Sequence, residues 1–141
     1  MSLILNNVQL IDIPKITAPN GSGNLSVIEK DIVPFDIKRV YYLYDVPSDS
    51  KRGGHAHLEL KQFLVALSGS FDVHLDDGVT KSTITLNRPN KGLFIPNGIW
   101  RELDNFSSGS VCLSVVSNIY KESDYIRAYS DFKKWKSNQS L

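Results

Sequence analysis

His55 and His57, in the run Gly53-Gly54-His55-Ala56-His57, are the residues whose type and spacing best suit chemistry. In an extended strand, side chains two apart point to the same face, so both imidazoles aim at one spot. The pair follows a β-like segment, Ile37 to Tyr44. Two chemistries use such a pair. Neutral imidazoles ligate divalent metals, and an imidazole titrating near neutrality takes and returns a proton at physiological pH.

The surrounding residues decide between the two. Gly53-Gly54-His55-Ala56-His57, followed later by Pro96-Asn97-Gly98-Ile99-Trp100-Arg101, resembles the frame of a metal-binding cupin, a double-stranded β-helix. That frame needs a glutamate four or five positions after the second histidine and a third histidine after the Pro-x-Gly turn. Here Lys61 and Gln62 stand near the carboxylate position, and Arg101 stands at the third imidazole position. A guanidinium stays protonated and offers no lone pair, so it repels a cation. Two neutral imidazoles alone hold a divalent ion weakly. The expectation is a cupin pocket with no metal and no cofactor, carrying a fixed protein cation instead. His74, alternating with Val73 and Leu75 beside Asp72 and Asp76, reads as a solvated surface residue.

A histidine base beside a fixed cation suits abstraction of a carbon-bound hydrogen next to a carbonyl, with Arg101 stabilising the enolate or enediolate oxygen. Tyr41 and Tyr42 point to opposite faces of their strand, so one shares the pocket and the other packs outward. Arg39 and Arg52 flank the pair and suit bidentate bonds to a diphosphate, whereas Arg88 reads as a solvated charge. Trp100 either stacks on a base or sugar ring or packs in the core. Gln62 and Arg101 complete the set of expected ligand contacts, with Arg39, Arg52 and Trp100.

These side chains need a scaffold of short strands. Leu25-Ile28, Lys38-Tyr44, Gln62-Leu67, Phe71-Leu75, Ser82-Leu86, Leu93-Ile95 and Val111-Val116 are apolar or alternating runs bounded by turn residues. Ser68-Gly69 and Asp76-Asp77-Gly78 read as hairpin turns linking the strands into an antiparallel meander. The fold class is therefore all-β, a jelly-roll barrel. Tyr125, Tyr129, Phe132 and Trp135 follow helical spacing behind Ser123-Asp124, predicting a short C-terminal helix over about 123–136. Pro19-Asn20-Gly21-Ser22-Gly23-Asn24 reads as a turn, and Ser137 to Leu141 as a fraying tail.

A chain of 141 residues suits one domain, 1–141, with the barrel over about 25–118. Sixteen basic and fifteen acidic residues, a net charge of +1, supply no global field for nucleic acid or an anionic membrane. The lone Cys112, inside Val111-Cys112-Leu113, reads as a buried filler and excludes an internal disulfide. Met1 to Asn6 lack the pattern of a secretory signal and no apolar run approaches a membrane span, so the cytoplasm is the expected location.

Several linked motifs, in order, closely resemble the dTDP-sugar 3,4-ketoisomerases of the WxcM-like cupins: Arg39-Val40-Tyr41-Tyr42, Arg52-Gly53-Gly54-His55-Ala56-His57, Leu75-Asp76-Asp77-Gly78, Gly92-Leu93-Phe94-Ile95-Pro96, Trp100-Arg101-Glu102-Leu103 and Asp124-Tyr125-Ile126-Arg127. The resemblance runs from about Leu25 to Phe132. It implies metal-independent isomerisation of dTDP-4-keto-6-deoxyglucose to a 3-keto-6-deoxyhexose, on a route to amino sugars of bacterial surface polysaccharides. It implies His57 as main acid/base, His55 as its partner, Tyr42 as the proton-shuttling tyrosine, and a homodimer with exchanged N-terminal strands. One departure is Ser22-Gly23 where the family has Arg-Gly. The alternatives are a 3,5-epimerase and a non-catalytic nucleotide-sugar-binding cupin.

Overall fold

The computed structural model describes Leu5 and residues 7–139. In chain order the elements are β1 (Gln9–Asp12), β2 (Lys15–Thr17), β3 (Asn24–Ser26), β4 (Arg39–Leu43), β5 (Arg52–His57), β6 (Gln62–Ser68), β7 (Phe71–Asp76), β8 (Lys81–Leu86), β9 (Lys91–Ile95), β10 (Trp100–Asp104), β11 (Val111–Val116), β12 (Tyr125–Ile126) and α1 (Tyr129–Gln139). Two five-stranded antiparallel sheets face each other, ordered β1-β9-β6-β11-β4 and β12-β5-β10-β7-β8. The chain crosses between sheets from β4 to β5, from β5 to β6 and from β6 to β7, which makes a jelly roll of the expected cupin type.

Alternation along the strands builds three apolar layers. Leu64, Ala66, Phe71, Val73, Leu75, Leu93, Ile95 and Leu103 fill the space between the sheets. Phe63, Val65, Phe94 and Val115 lie on the opposite face of the first sheet, covered by Ile13, Val33 and Phe35. Phe63 packs so closely over Gly92 that a Cβ there would stand 1.9 Å from the ring. On the outer face of the second sheet, Ala56 and Trp100 are covered by Phe132 of α1.

Four expectations need correction. Ser68-Gly69 is not a hairpin, because β6 and β7 belong to different sheets. Asp76-Asp77-Gly78 does close a hairpin, β7 to β8, with Asp77 Oδ1 accepting the Val79 and Thr80 amides at 2.8 and 2.7 Å. The barrel begins before residue 25: β1 pairs with β9, while the segment at Leu25 forms a separate two-stranded hairpin with β2, turning at Asn20 to Gly23 as expected. The helix starts at Tyr129, not 123. Residues 122–124 form a 3₁₀ turn and Tyr125–Ile126 pair with β5, since Tyr125 gains two ring contacts in the barrel that a helix would deny it. Of the tail expected to fray, residues 137–139 belong to α1 and the last two lie outside the described residues.

Phe132 is fully buried and is the contact by which α1 covers the second sheet. Phe132→Ala is expected to cost about 3 kcal/mol of unfolding free energy, read as a lower urea midpoint at unchanged slope.

Candidate active site

The site forms where β5 crosses β10. Arg101 pairs with His55 and Leu103 with Arg52, so β5 carries one extra residue between the pairs. The extra residue is a β-bulge at Gly53-Gly54, and Gly53 adopts φ +74°, a left-handed conformation suited to glycine. A Cβ on Gly53 would also meet Leu103 at 3.0 Å. The bulge changes the parity of the strand. Arg52, three residues before His55, therefore shares its face rather than the opposite one. His55 and His57 both point inward, their rings edge to face at 4.8 Å.

Below the histidines lies a buried polar floor. Arg101 is 1% exposed. Its Nε and Nη2 donate to the Ile99 carbonyl at 3.2 and 3.0 Å, and its Nη1 donates to Gln62 Oε1. Gln62 Nε2 in turn donates to the Tyr41 hydroxyl at 2.9 Å and to Ser114 Oγ at 2.6 Å. Arg101, Gln62, Tyr41 and Ser114 thus form one connected network reaching across both sheets.

A strap running from Tyr120 to Arg127 makes the side wall. Asp124 Oδ2 lies 3.1 Å from His57 Nδ1, and its carboxylate accepts the Glu59 and Leu60 amides at 2.7 and 3.3 Å. The Tyr125 ring sits 4.4 Å from His57 and 5.0 Å from His55. Arg127 covers that ring at 4.2 Å while forming a two-pronged ion pair with Glu122 at 2.8 and 2.9 Å. Above the floor opens a cavity of about 470 Å³, bordered by Arg39, Tyr41, Arg52, His55, Tyr125 and Arg127 among others.

Electrostatics keep the imidazoles neutral. Burial first, then the charge of Arg101, lowers His55 to about 2 and His57 to about 3. Burial likewise lowers Arg101 to about 10, which leaves it charged at neutral pH, and raises the Tyr41 hydroxyl. Arg39 Nη1 and the Nε2 atoms of both histidines are buried without a hydrogen-bond partner. Buried polar atoms are rarely left so; Arg39 and His55 line the cavity and His57 packs against His55, which marks the place as one for a ligand's acceptors and donors.

The donor set does not fit a metal. The third-ligand position holds the Arg101 guanidinium, the carboxylate position holds the Gln62 amide, and among the described residues no group of three His, Cys, Asp or Glu is placed to hold an ion.

Of the residues singled out from sequence, Arg39, Arg52, His55, His57, Gln62 and Arg101 come together here. Gln62 lies beneath the cavity, its amide committed to Arg101, Tyr41 and Ser114. Two expectations are corrected. Tyr42 points out of the barrel, 60% exposed, against Tyr44, because β4 turns Arg39, Tyr41 and Leu43 inward; of these two neighbours, Tyr41 is the one in the cavity. Trp100 is not a wall of this cavity. It neighbours Arg101 in one strand and so faces the other side, where it meets Tyr129 and Phe132 and donates from Nε1 to Glu102 at 3.0 Å. His74 is a surface residue as expected, bonded to Thr83 and Asp104. Asp124, Tyr125 and Arg127 are site residues that sequence reasoning missed. The unbroken helical spacing of Tyr125, Tyr129 and Phe132 concealed them.

Facing jelly-roll sheets around a polar cavity with paired imidazoles define a cupin-type pocket. The model of the FdtA family, described as WxcM-like, C-terminal, matches residues 6–137, and the chain belongs to this family. A relative from Aneurinibacillus thermoaerophilus, TDP-4-oxo-6-deoxy-alpha-D-glucose-3,4-oxoisomerase, is 43% identical over 127 residues, covering 90% of this chain and 91% of the relative. Among solved structures, a histidine-to-asparagine variant of the 3,4-ketoisomerase QdtA from Thermoanaerobacterium thermosaccharolyticum, in complex with TDP-4-keto-6-deoxyglucose, superposes with a TM-score of 0.92 at 40% identity, covering 98% of this chain and 99% of that one. WlaRA, a TDP-fucose-3,4-ketoisomerase from Campylobacter jejuni, gives 0.89 at 38% identity, covering 96% and 99%.

Neutral buried histidines make the fold acid-sensitive. Their folded pKa values lie below the 6.5 of the free side chain, so the unfolded chain binds more protons between pH 6.5 and about 3. Stability is held above pH 6.5 and lost as pH falls through that window, by up to about 1.4 kcal/mol per pH unit for each ring. Denaturant titrations from pH 7 to 4.5 are expected to show this slope, and a His55→Asn/His57→Asn double variant to flatten it.

Proposed function

We propose that the chain is a dTDP-sugar 3,4-ketoisomerase, converting dTDP-4-keto-6-deoxyglucose to a 3-keto-6-deoxyhexose without a metal. The observation that carries this reading is the pair of imidazoles, neutral and each with a buried, unpartnered Nε2, beside a buried guanidinium. A neutral imidazole is ready to accept a proton, and a fixed cation in a water-poor pocket is ready for the negative charge that follows.

The reaction moves two hydrogens and no net electrons. His57 takes the hydrogen on C3 as a proton, the C3–H electron pair becomes the C3=C4 double bond, and the C4 carbonyl oxygen becomes an enediol oxygen stabilised by Arg101. The O3 proton passes to O4 by way of Tyr41, whose hydroxyl is held by Gln62. C4 is then protonated from an imidazolium, leaving the ketone at C3. His55, which lines the cavity, assists His57 in these transfers. Arg39 and Arg52, at the cavity mouth, take the diphosphate by charge-assisted hydrogen bonds. The family relatives named above carry 3,4-ketoisomerase or 3,4-oxoisomerase names, which favours this reading over 3,5-epimerisation.

The functional unit in this proposal is a homodimer with exchanged N-terminal strands, working in the cytoplasm. The β2–β3 hairpin and the residue after it expose Ile16, Leu25 and Val27, and the edge strand β4 with the residue beyond it exposes Val40, Tyr42 and Tyr44. Apolar surface on an unpaired strand edge and on a projecting hairpin calls for a cover, and a second copy supplies both. Among the described residues, no helix is long and apolar enough to cross a membrane.

Incubation with dTDP-4-keto-6-deoxyglucose in deuterated water, followed by proton NMR, is expected to give a 3-keto product carrying deuterium at C4, with deuterium exchange at C3 in the recovered substrate. No conversion and no exchange would refute the reading. His57→Asn should lower the rate on the order of a thousandfold, more than His55→Asn does. Light scattering on the eluting protein is expected to report twice the chain mass, with the Ile16→Asp/Leu25→Asp double variant shifting it toward one.

A further inference from the structure

We infer that Asp124 is a positioning residue for the base: its carboxylate fixes which nitrogen of His57 carries the proton and aims the lone pair of the other at the reacting sugar. The inference deepens the ketoisomerase reading and its kinetic half rests on it.

The geometry leaves little freedom. A carboxylate only accepts hydrogen bonds, so the nitrogen facing it, Nδ1 at 3.1 Å, must be the donor. Nε2 then bears the lone pair, and Nε2 is the buried atom that makes no hydrogen bond. Asp124 is itself held fast. Its two oxygens accept the amides of Glu59 and Leu60, and its backbone carbonyl accepts the Leu58 amide at 2.9 Å. These three bonds tie the strap to the turn that immediately follows His57. The ring and its orienting carboxylate are therefore fixed to one piece of backbone, and the next residue, Tyr125, packs its ring on the same imidazole. Hydrogen-bonded to backbone amides, Asp124 also offsets the imidazolium charge that His57 gains when it takes the C3 hydrogen. Without that carboxylate, the new charge would face the Arg101, Arg127 and Arg39 cations alone.

The substitution that isolates this role is Asp124→Asn. The side-chain oxygen can still accept the Glu59 amide, but an NH₂ in the place of Oδ2, the atom that faces both Nδ1 and the Leu60 amide, donates to Nδ1. That reverses the ring, placing the proton on Nε2 and removing the lone pair of His57 from that nitrogen. Nitrogen-15 NMR of the histidine ring is expected to show the Nδ1–H form of His57 in the wild-type protein and the Nε2–H form in Asp124→Asn. Under turnover, kcat should fall about a hundredfold or more with KM little changed. Asp124→Glu, which restores an acceptor, should recover part of the loss.

A wild-type His57 protonated on Nε2 would overturn the inference, and so would Asp124→Asn with unchanged kcat. If Asp124→Asn fails to fold, the wild-type ring spectrum decides alone. A wild-type protein that binds dTDP but exchanges no deuterium at C3 would instead sink the ketoisomerase reading, and the tautomer would still test the placement of Asp124.

Discussion

A guanidinium with 1% of its surface exposed has to be satisfied inside the barrel, and the polar half of this structure is arranged around that requirement. Burying an ion without partners is costly, and Arg101 meets the cost with a main-chain carbonyl and the amide oxygen of Gln62. Gln62 is neutral, so the charge is held in place without being cancelled by a neighbouring carboxylate. The two imidazoles next to it then have reason to stay uncharged. Stable location of the cation and availability of the base are the same physical fact seen from two residues.

The apolar architecture serves that arrangement. The bulge at Gly53-Gly54 lets one strand present Arg52 at the mouth and His55 and His57 inside. Ala56, between the two histidines, points the other way and is fully buried with Trp100 and Phe132, so α1 clamps the catalytic strand from outside. The strap between β11 and α1 closes the remaining side with Asp124 and Tyr125. Its Glu122–Arg127 pair is exposed and adds little stability, but it holds Arg127 over the Tyr125 ring at the cavity wall. Rigid sheets thus carry the imidazoles and the guanidinium, and a short extended segment tunes them.

Much of this was legible in the residues. The His-x-His spacing, the Pro96-Asn97-Gly98 turn and the arginine after Trp100 placed the pair and the cation in one pocket, because strand parity and the motif's register carry that information. Parity also separates Trp100 from Arg101, so its place on the outer face was available to a stricter reading of adjacent strand residues. The choice between Tyr41 and Tyr42 was not available. Arg39, Tyr41 and Leu43 alternate as well as Val40, Tyr42 and Tyr44, and only the pairing of β4 with β11 decides which set faces the barrel. The strap was hidden for another reason. Tyr125, Tyr129 and Phe132 satisfy helical spacing by coincidence, and long-range pairing with β5 overrides it for the first of them. The connection at Ser68-Gly69 has a hairpin composition, yet the packing of two sheets sends its strands apart.

Direct titration of the two imidazoles in the free protein, by carbon and nitrogen NMR of the histidine rings, tests the central claim most closely. Both rings should remain neutral below about pH 5, held down by burial and by the adjacent guanidinium. Either ring titrating at or above 6.5, the value of the free side chain, would contradict it.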